Sequence, residues 1–226
     1  AITLPALEEN RSPLEEAARR YDLPLSFRSG RPLSEYASVR LFSLIDELVS
    51  SSFELNRMKN LLLNRALPWR ERENFQRLVR EGIESYVVRN CREGSRERGW
   101  EEQLAKAGKG GKGESLELYR KLHKGLTLLT SAPSFADLAG RMQAFAGSFL
   151  DTDRWLSAAP AQLYAFQHAL EVLKSFVRVE AEFPELSASS PYGVWIEALS
   201  SQNYVEQQRE EGIPVYPYRV SAGISP

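Results

Sequence analysis

Beyond Ser34 the apolar residues recur three and four positions apart in one segment after another, the spacing that lines one face of an α-helix. Val39, Phe42, Ile45 and Val49 mark one helix, and Leu55, Met58 and Leu62 the next. Phe75, Leu78, Val79, Ile83, Tyr86 and Val87 mark a third, and Leu116, Tyr119, Leu122, Leu126 and Leu129 a fourth. Phe135, Leu138, Met142, Phe145 and Phe149 follow Ser134, a capping residue with Asp137 three positions on. Leu163, Phe166, Leu170, Leu173 and Val177 form the last long stripe, before a shorter helix near Val194 to Leu199. Each stripe needs an apolar partner, so the segments are expected to pack together as one helical assembly.

Extended structure is expected only near the two ends. Ile2-Thr3-Leu4-Pro5 reads as a strand, and Ser12-Pro13-Leu14-Glu15 as a capping box that starts a helix running to about Tyr21. Leu23-Pro24-Leu25-Ser26-Phe27-Arg28 reads as a second strand, closed by a turn over Ser29-Gly30-Arg31-Pro32. Strand, helix and strand in so short a span form a βαβ unit, whose strands run parallel if they share a sheet. At the far end Ile213-Pro214-Val215-Tyr216-Pro217-Tyr218-Arg219-Val220 returns to extended structure, with prolines that suit an edge strand or a strand start better than a central strand. Ala105 to Gly113 holds four glycines and three lysines with no apolar anchor, and is expected to be a mobile loop. The fold class is therefore mainly α, a multi-helix insert domain with a small parallel β patch formed by the N- and C-terminal segments.

Composition narrows the function classes. The chain has 226 residues, 42% hydrophobic and 26% charged, as in an ordinary globular protein. Its single cysteine, Cys91, supports neither an intramolecular disulfide nor a thiolate zinc cluster, and favours a cytoplasmic protein. No apolar run approaches the roughly 18 residues that span a bilayer, so no membrane partner is expected. Both ends read as cuts from a longer protein. The net charge of −1 is unevenly spread: residues 65–124 carry fifteen Lys/Arg against ten Glu, and residues 171–226 carry four against eight. Such a chain can offer a nucleic acid one basic face.

Candidate chemistry is sparse. The Gly/Lys loop lacks the Gly-x4-Gly-Lys-Ser/Thr order of a phosphate-binding loop, because Gly111-Lys112 is followed by Gly113. His123 and His168 fall on different helices, and His123 lies on an apolar stripe. None of the seven lysines has an Asp or Glu two residues before it, as a PD-(D/E)xK nuclease requires. No catalytic residue, metal site or cofactor is expected. Trp69 and Trp100 lie in or beside the basic stretch, where a ring could stack on a base, but core packing is the expectation for both. If DNA is bound, Arg28 and Arg31 beside the turn and Lys106, Lys109 and Lys112 in the loop are the expected phosphate contacts, since these need only charge and reach.

The N-terminal third adds a specific likeness. Ile2-Thr3-Leu4-Pro5, the helix with Leu14-Glu15-Glu16-Ala17, and Leu23-Pro24-Leu25-Ser26-Phe27-Arg28-Ser29-Gly30-Arg31-Pro32-Leu33 together resemble the motif IV region of UvrD-like superfamily-one helicases. Val39 to Ile45 and Leu61 to Asn64 are similar to that family's next two helices, and Ile213 to Gly223 falls where the chain would re-enter the motor domain at motif V. The first strand has Leu4 where active members carry Arg, and the return strand has Val220-Ser221-Ala222-Gly223 where they carry Lys-Gly-Leu-Glu. The pattern is thus closer to the motor-inactive AddB/RecC-type subunits of recombination helicase-nucleases. The resemblance implies residues 1–33 as a partial RecA-like βαβ unit, 34–208 as a helical insert and 209–226 as the return strand. It further implies a non-catalytic, DNA-handling or structural segment in double-strand-break repair, within a parent that is an ATP-dependent exonuclease or helicase subunit. DNA, the remaining helicase and nuclease domains of the same chain, and a partner helicase-nuclease subunit are the implied partners. A purely protein-docking helical domain without DNA contact is the alternative.

Overall fold

A computed structural model describes residues 2–5, 7–27, 30–90, 99–107, 113–186, 188–204 and 212–217. The chain is mainly α-helical and divides into two compact units, residues 1–32 with 202–226, and residues 33–201.

In the first unit, β1 (Ile2–Leu4), β2 (Leu25–Phe27) and β5 (Ile213–Pro217) form a parallel sheet in the order β1-β5-β2. The N- and C-terminal strands therefore lie side by side, as expected. The two strands of the anticipated βαβ unit are parallel but not adjacent, because the C-terminal strand lies between them. Ile2 pairs with Val215 and Phe27 with the same residue from the other side, so Ile2, Leu4, Leu25, Phe27, Ile213 and Val215 share one face. Val215 is fully buried there. Helix α1 (Leu7–Arg20) runs across this face, with the Arg11 guanidinium 5.0 Å from the centre of the Phe27 ring.

Three expectations for this unit are corrected. Helix α1 begins at Leu7 rather than at the Ser12 box, and Pro13 lies inside it. Leu7 is buried, and anchoring it outweighs the bond that Pro13 takes from the carbonyl of the exposed Glu9, which water can satisfy. The Ser29–Pro32 turn becomes a strand at its second half: β3 (Arg31–Pro32) pairs antiparallel with β4 (Asn203–Tyr204). A Cβ on Gly30 would lie 2.9 Å from Asn203 Cβ and 3.1 Å from the Tyr204 carbonyl oxygen, so only glycine lets the strands meet.

The third correction concerns the prolines of β5, which is the central strand and not an edge. Register explains how they fit. The Ile213 N–H donates to the Pro24 carbonyl at 2.6 Å, so odd residues of β5 point their N–H groups at β2 and even ones at β1. Pro214 would face β1 but precedes its first paired residue, which is at 215. Pro217 would face β2 but follows its last paired residue, also at 215. Each missing N–H points at a neighbour that does not reach it.

The second unit begins with a 3-10 turn at Leu33–Glu35 and contains ten-residue or longer helices that follow the expected stripes: α2 (Ala37–Ser50), α4 (Arg72–Glu84), α6 (Glu114–Thr130), α7 (Phe135–Phe149), α9 (Pro160–Glu182) and α10 (Pro191–Ser200). Shorter ones are α3 (Leu55–Leu62), α5 (Trp100–Ala107) and α8 (Thr152–Ala158). The Ser134 cap forms as expected, its hydroxyl accepting from the Asp137 N–H at 3.0 Å. Glu180 of α9 adds a second cap to α7, accepting at 3.1 Å from the N–H groups of both Phe135 and Ala136. Helix α5 corrects the view of Ala105 onward as loop, since Ala105 to Ala107 belong to it. The remainder of the Gly/Lys stretch, 108–112, lies outside the described residues.

Helix α2 is the hub, burying Val39, Leu41, Phe42, Ile45 and Leu48 among α3, α6, α9 and α10. Phe42 meets Trp195 at 4.5 Å and Phe166 at 5.7 Å between ring centres, and its carbonyl accepts from the Tyr192 hydroxyl at 2.9 Å. The four tryptophans share one device. Trp69, Trp100, Trp155 and Trp195 bury their rings and donate Nε1–H to the carbonyls of Leu61, Phe53, Ala66 and Ala169 at 3.3, 2.7, 2.9 and 3.1 Å.

Two substitutions test this packing by urea unfolding. A Cβ on Gly82 would lie 2.6 Å from Trp100 Cη2 and Cζ3; Gly82→Ala is therefore expected to destabilise by about 1–3 kcal/mol, although alanine alone would favour the helix by about 1 kcal/mol. Val215→Pro removes an N–H that faces β2 and should cost about 1–3 kcal/mol for the carbonyl left unpaired, whereas Pro214→Ala should be nearly neutral. Equal effects at 214 and 215 would contradict the register.

Candidate functional site

Of the five cations expected to meet phosphate, Arg28, Lys109 and Lys112 lie outside the described residues. Arg31 and Lys106 belong to different compact units, and each already has a carboxylate partner. Arg31 donates from Nη2 to Glu15, which also accepts from Arg11 Nε at 2.9 Å. Partial burial pushes the Glu15 carboxyl up, but the guanidiniums of Arg31 and Arg11 outweigh it and hold the carboxyl below its ordinary range. Lys106 sits in the last turn of α5 and donates to Glu102, one turn back, at 2.5 Å. The Lys106 pair is exposed and such pairs are weak, so Lys106 can exchange its partner for a phosphate, whereas the Arg31 pair is partly buried.

Trp69 and Trp100 are completely buried and cannot stack on a base. Trp100 instead stacks on Tyr119 at 5.2 Å, and Tyr119 donates its hydroxyl to Asn90 at 2.5 Å. The same cluster holds the α2–α3 corner, where Ser52 and Phe53 take φ values of 57° and 59°. Left-handed backbone at a phenylalanine is costly. It is held by the Trp100 bond to the Phe53 carbonyl, by the Asn90 N–H on the Ser52 carbonyl at 2.7 Å, and by the Phe53 N–H on the Leu48 carbonyl at 2.9 Å. His123, half-buried on α6, lies 4.4 Å from the Phe53 ring. Burial lowers its pKa below the ordinary 6.5, and Glu101 opposes the shift. His168 lies on α9, so the two histidines stay on separate helices.

A groove of about 280 Å³ runs between α4 and α6, lined by Glu71, Asn74, Arg77, Glu114, Glu117 and Lys121 over Leu118. Its charges largely serve one another. Arg77 reaches Glu114 at 2.9 Å and Asn74 at 2.8 Å; Asn74 donates to Glu71 at 3.0 Å, with the Lys121 ammonium 3.8 Å from that carboxylate. The lining has no histidine, cysteine or hydroxyl to act as base or nucleophile. Among the described residues no three His, Cys, Asp or Glu side chains are grouped so as to hold a metal ion, and no helix is long and apolar enough to cross a membrane.

The basic stretch contains cations of a second kind. Among the described residues no ion pair joins Arg65, Arg72 or Lys124, although Arg72 lies between Glu71 and Glu73 in sequence. These were not distinguished from the other basic residues by sequence, because pairing depends on which helices become neighbours.

A family model described as the Treponema TP0900 fourth helical domain matches residues 34–205. The chain belongs to this family. It is also 25% identical, over an alignment that covers 98% of it, to an uncharacterized protein of Treponema pallidum (strain Nichols). The chain spans 31% of that relative's length.

The His123 environment gives a pH signature. With its folded pKa below that of the unfolded chain, the unfolded state takes up the proton first as pH falls. Stability contributed by neutral His123 is complete above about pH 6.5 and is lost as pH drops from there towards the folded pKa. His123→Gln should therefore lose less stability than the parent between about pH 7.5 and 5.5, as read by denaturant titration. Parallel pH curves would place His123 outside the buried cluster.

Proposed function

We propose that this chain is a non-catalytic, DNA-handling helical insert within a larger helicase-nuclease-like protein of double-strand-break processing, closest to the AddB/RecC type and cytoplasmic. The observation that carries the reading is the position of β5 between β1 and β2. A chain that leaves a parallel sheet, builds a helical unit and returns to the middle of the same sheet has the topology of an insertion. The sheet unit is also thin: among its described residues only Leu7, Ala18 and Val215 are buried hydrophobics, while Ile2 and Ile213 are 37% and 39% exposed. Parallel sheets are normally covered on both faces, which suits a unit completed by further parts of a parent protein. A relative about three times as long, and a family described as a fourth helical domain, fit a module of a multidomain protein.

The helical unit contributes binding rather than chemistry in this reading. Its candidate groove has charges engaged with one another, and its histidine packs against aromatic rings. The parent's remaining helicase and nuclease domains, and a partner subunit, would supply any ATP hydrolysis and strand cleavage. Phosphate contact through Arg28, Arg31, Lys106, Lys109 and Lys112 would position DNA without reading sequence.

Titration of the protein against forked and duplex DNA at about 50 and 200 mM salt tests the proposal. Sequence-independent binding that weakens steeply with salt is expected. No binding at the lower salt would favour the protein-docking alternative.

A further inference from the structure

We infer that the surface joining residues 65–72, α6 and α8 is a phosphate-backbone platform for nucleic acid, with Arg65, Arg72 and Lys124 as its principal contacts. The inference rests on the DNA-handling reading and adds to it a second contact, through residues that the sequence did not single out.

The platform is rigid for identifiable reasons. Trp69 and Leu150 form an antiparallel bridge. On either side of it the Arg70 N–H donates to the Phe149 carbonyl at 2.9 Å, and the Asp151 N–H to the Pro68 carbonyl at 2.8 Å. Trp155 of α8 ties in the Ala66 carbonyl at 2.9 Å. Helix α6 is docked on the same ridge, for Gly125 approaches the Phe149 ring so closely that a Cβ would stand 3.3 Å from it, and Lys121 lies 5.2 Å over that ring. Lys124, next to Gly125 and three residues from Lys121, shares the Lys121 face of the helix.

Six cations thus gather from three elements: Arg65, Arg70, Arg72, Lys121, Lys124 and Arg154. Five carboxylates are interspersed, Glu71, Glu73, Glu117 one turn before Lys121, Asp151 and Asp153, so the local balance is +1. What distinguishes the surface is how the charges are distributed between them. Arg154 is 3.1 Å from Asp151 and Lys121 is 3.8 Å from Glu71. Arg65, Arg72 and Lys124 are left without an ion pair among the described residues, and Arg65 and Lys124 are exposed. Arg70 donates Nε to the Leu150 carbonyl at 2.8 Å, which leaves both Nη nitrogens for a second acceptor and fixes the plane of the fork. One fixed guanidinium, that of Arg70, beside further cations spread over a ridge suits a repeating phosphate chain, which requires no pocket.

The test compares the full chain with the Arg65→Ala/Arg72→Ala/Lys124→Ala triple variant on labelled forked DNA, over about 50 to 200 mM salt. The triple variant should bind about tenfold more weakly or worse at low salt, with a salt slope smaller by about 3. Arg72→Gln alone should lower the slope by about 1, which keeps the test valid if the triple variant unfolds. An unchanged affinity and slope, with the parent binding normally, would overturn the platform while leaving the DNA reading in place. Failure of the parent itself to bind at low salt would remove both. Loss of binding to polyglutamate but not to DNA would also overturn the platform, and assign the surface to an acidic protein.

Discussion

The pairing of β5 with both β1 and β2 is the constraint on which the organisation of the chain depends. β1 and β2 do not bond to each other; each is bonded to the C-terminal strand. Everything between Phe27 and Ile213 must therefore close on itself. The β3–β4 pair accomplishes this locally, holding the outgoing and returning segments in register where Gly30 admits Asn203 and Tyr204. The same constraint accounts for two prolines in a central strand. They are compatible with it because β1 and β2 are offset along β5 and overlap only at Val215.

Within the helical unit the corresponding role falls to buried aromatic side chains with a polar end. A tryptophan ring fills volume that several aliphatic residues would otherwise occupy, while its N–H satisfies a carbonyl that would be costly to leave unpaired. Trp100 shows both parts. Its ring requires glycine at 82 on α4, and its N–H stabilises the left-handed corner at Phe53. Trp155 and Trp69 do the same for the connection between α3 and α4. The surface cations of that connection consequently stand on a well-defined base.

The long helices were legible because their apolar stripes extend over several turns, and the Ser134 cap because its chemistry is local. Helices α5 and α8 were not, since eight and seven residues with one or two buried anchors carry no measurable period. The extension of α1 across Pro13 was hidden for a different reason: burial of Leu7 is a tertiary effect that overrides a local capping signal. The β3–β4 pair, two residues on each side, has no sequence pattern at all. At the candidate site the engagement of Lys106 could have been read from Glu102 four residues earlier. The contrast between Lys121, paired, and Lys124, without an ion pair among the described residues, could not, because it depends on Glu71 arriving from the start of α4. The placing of the two histidines on different helices was visible in their spacing, whereas the pairing of surface charges required the packing.

The central position of β5 also fixes an order of events during synthesis. β1, α1 and β2 emerge before the helical unit, and the strand that must lie between the two emerges after it. Those strands remain without their common partner while the helices can already pack. The helical unit is thus free to fold before the sheet, which can form only once β5 has followed it.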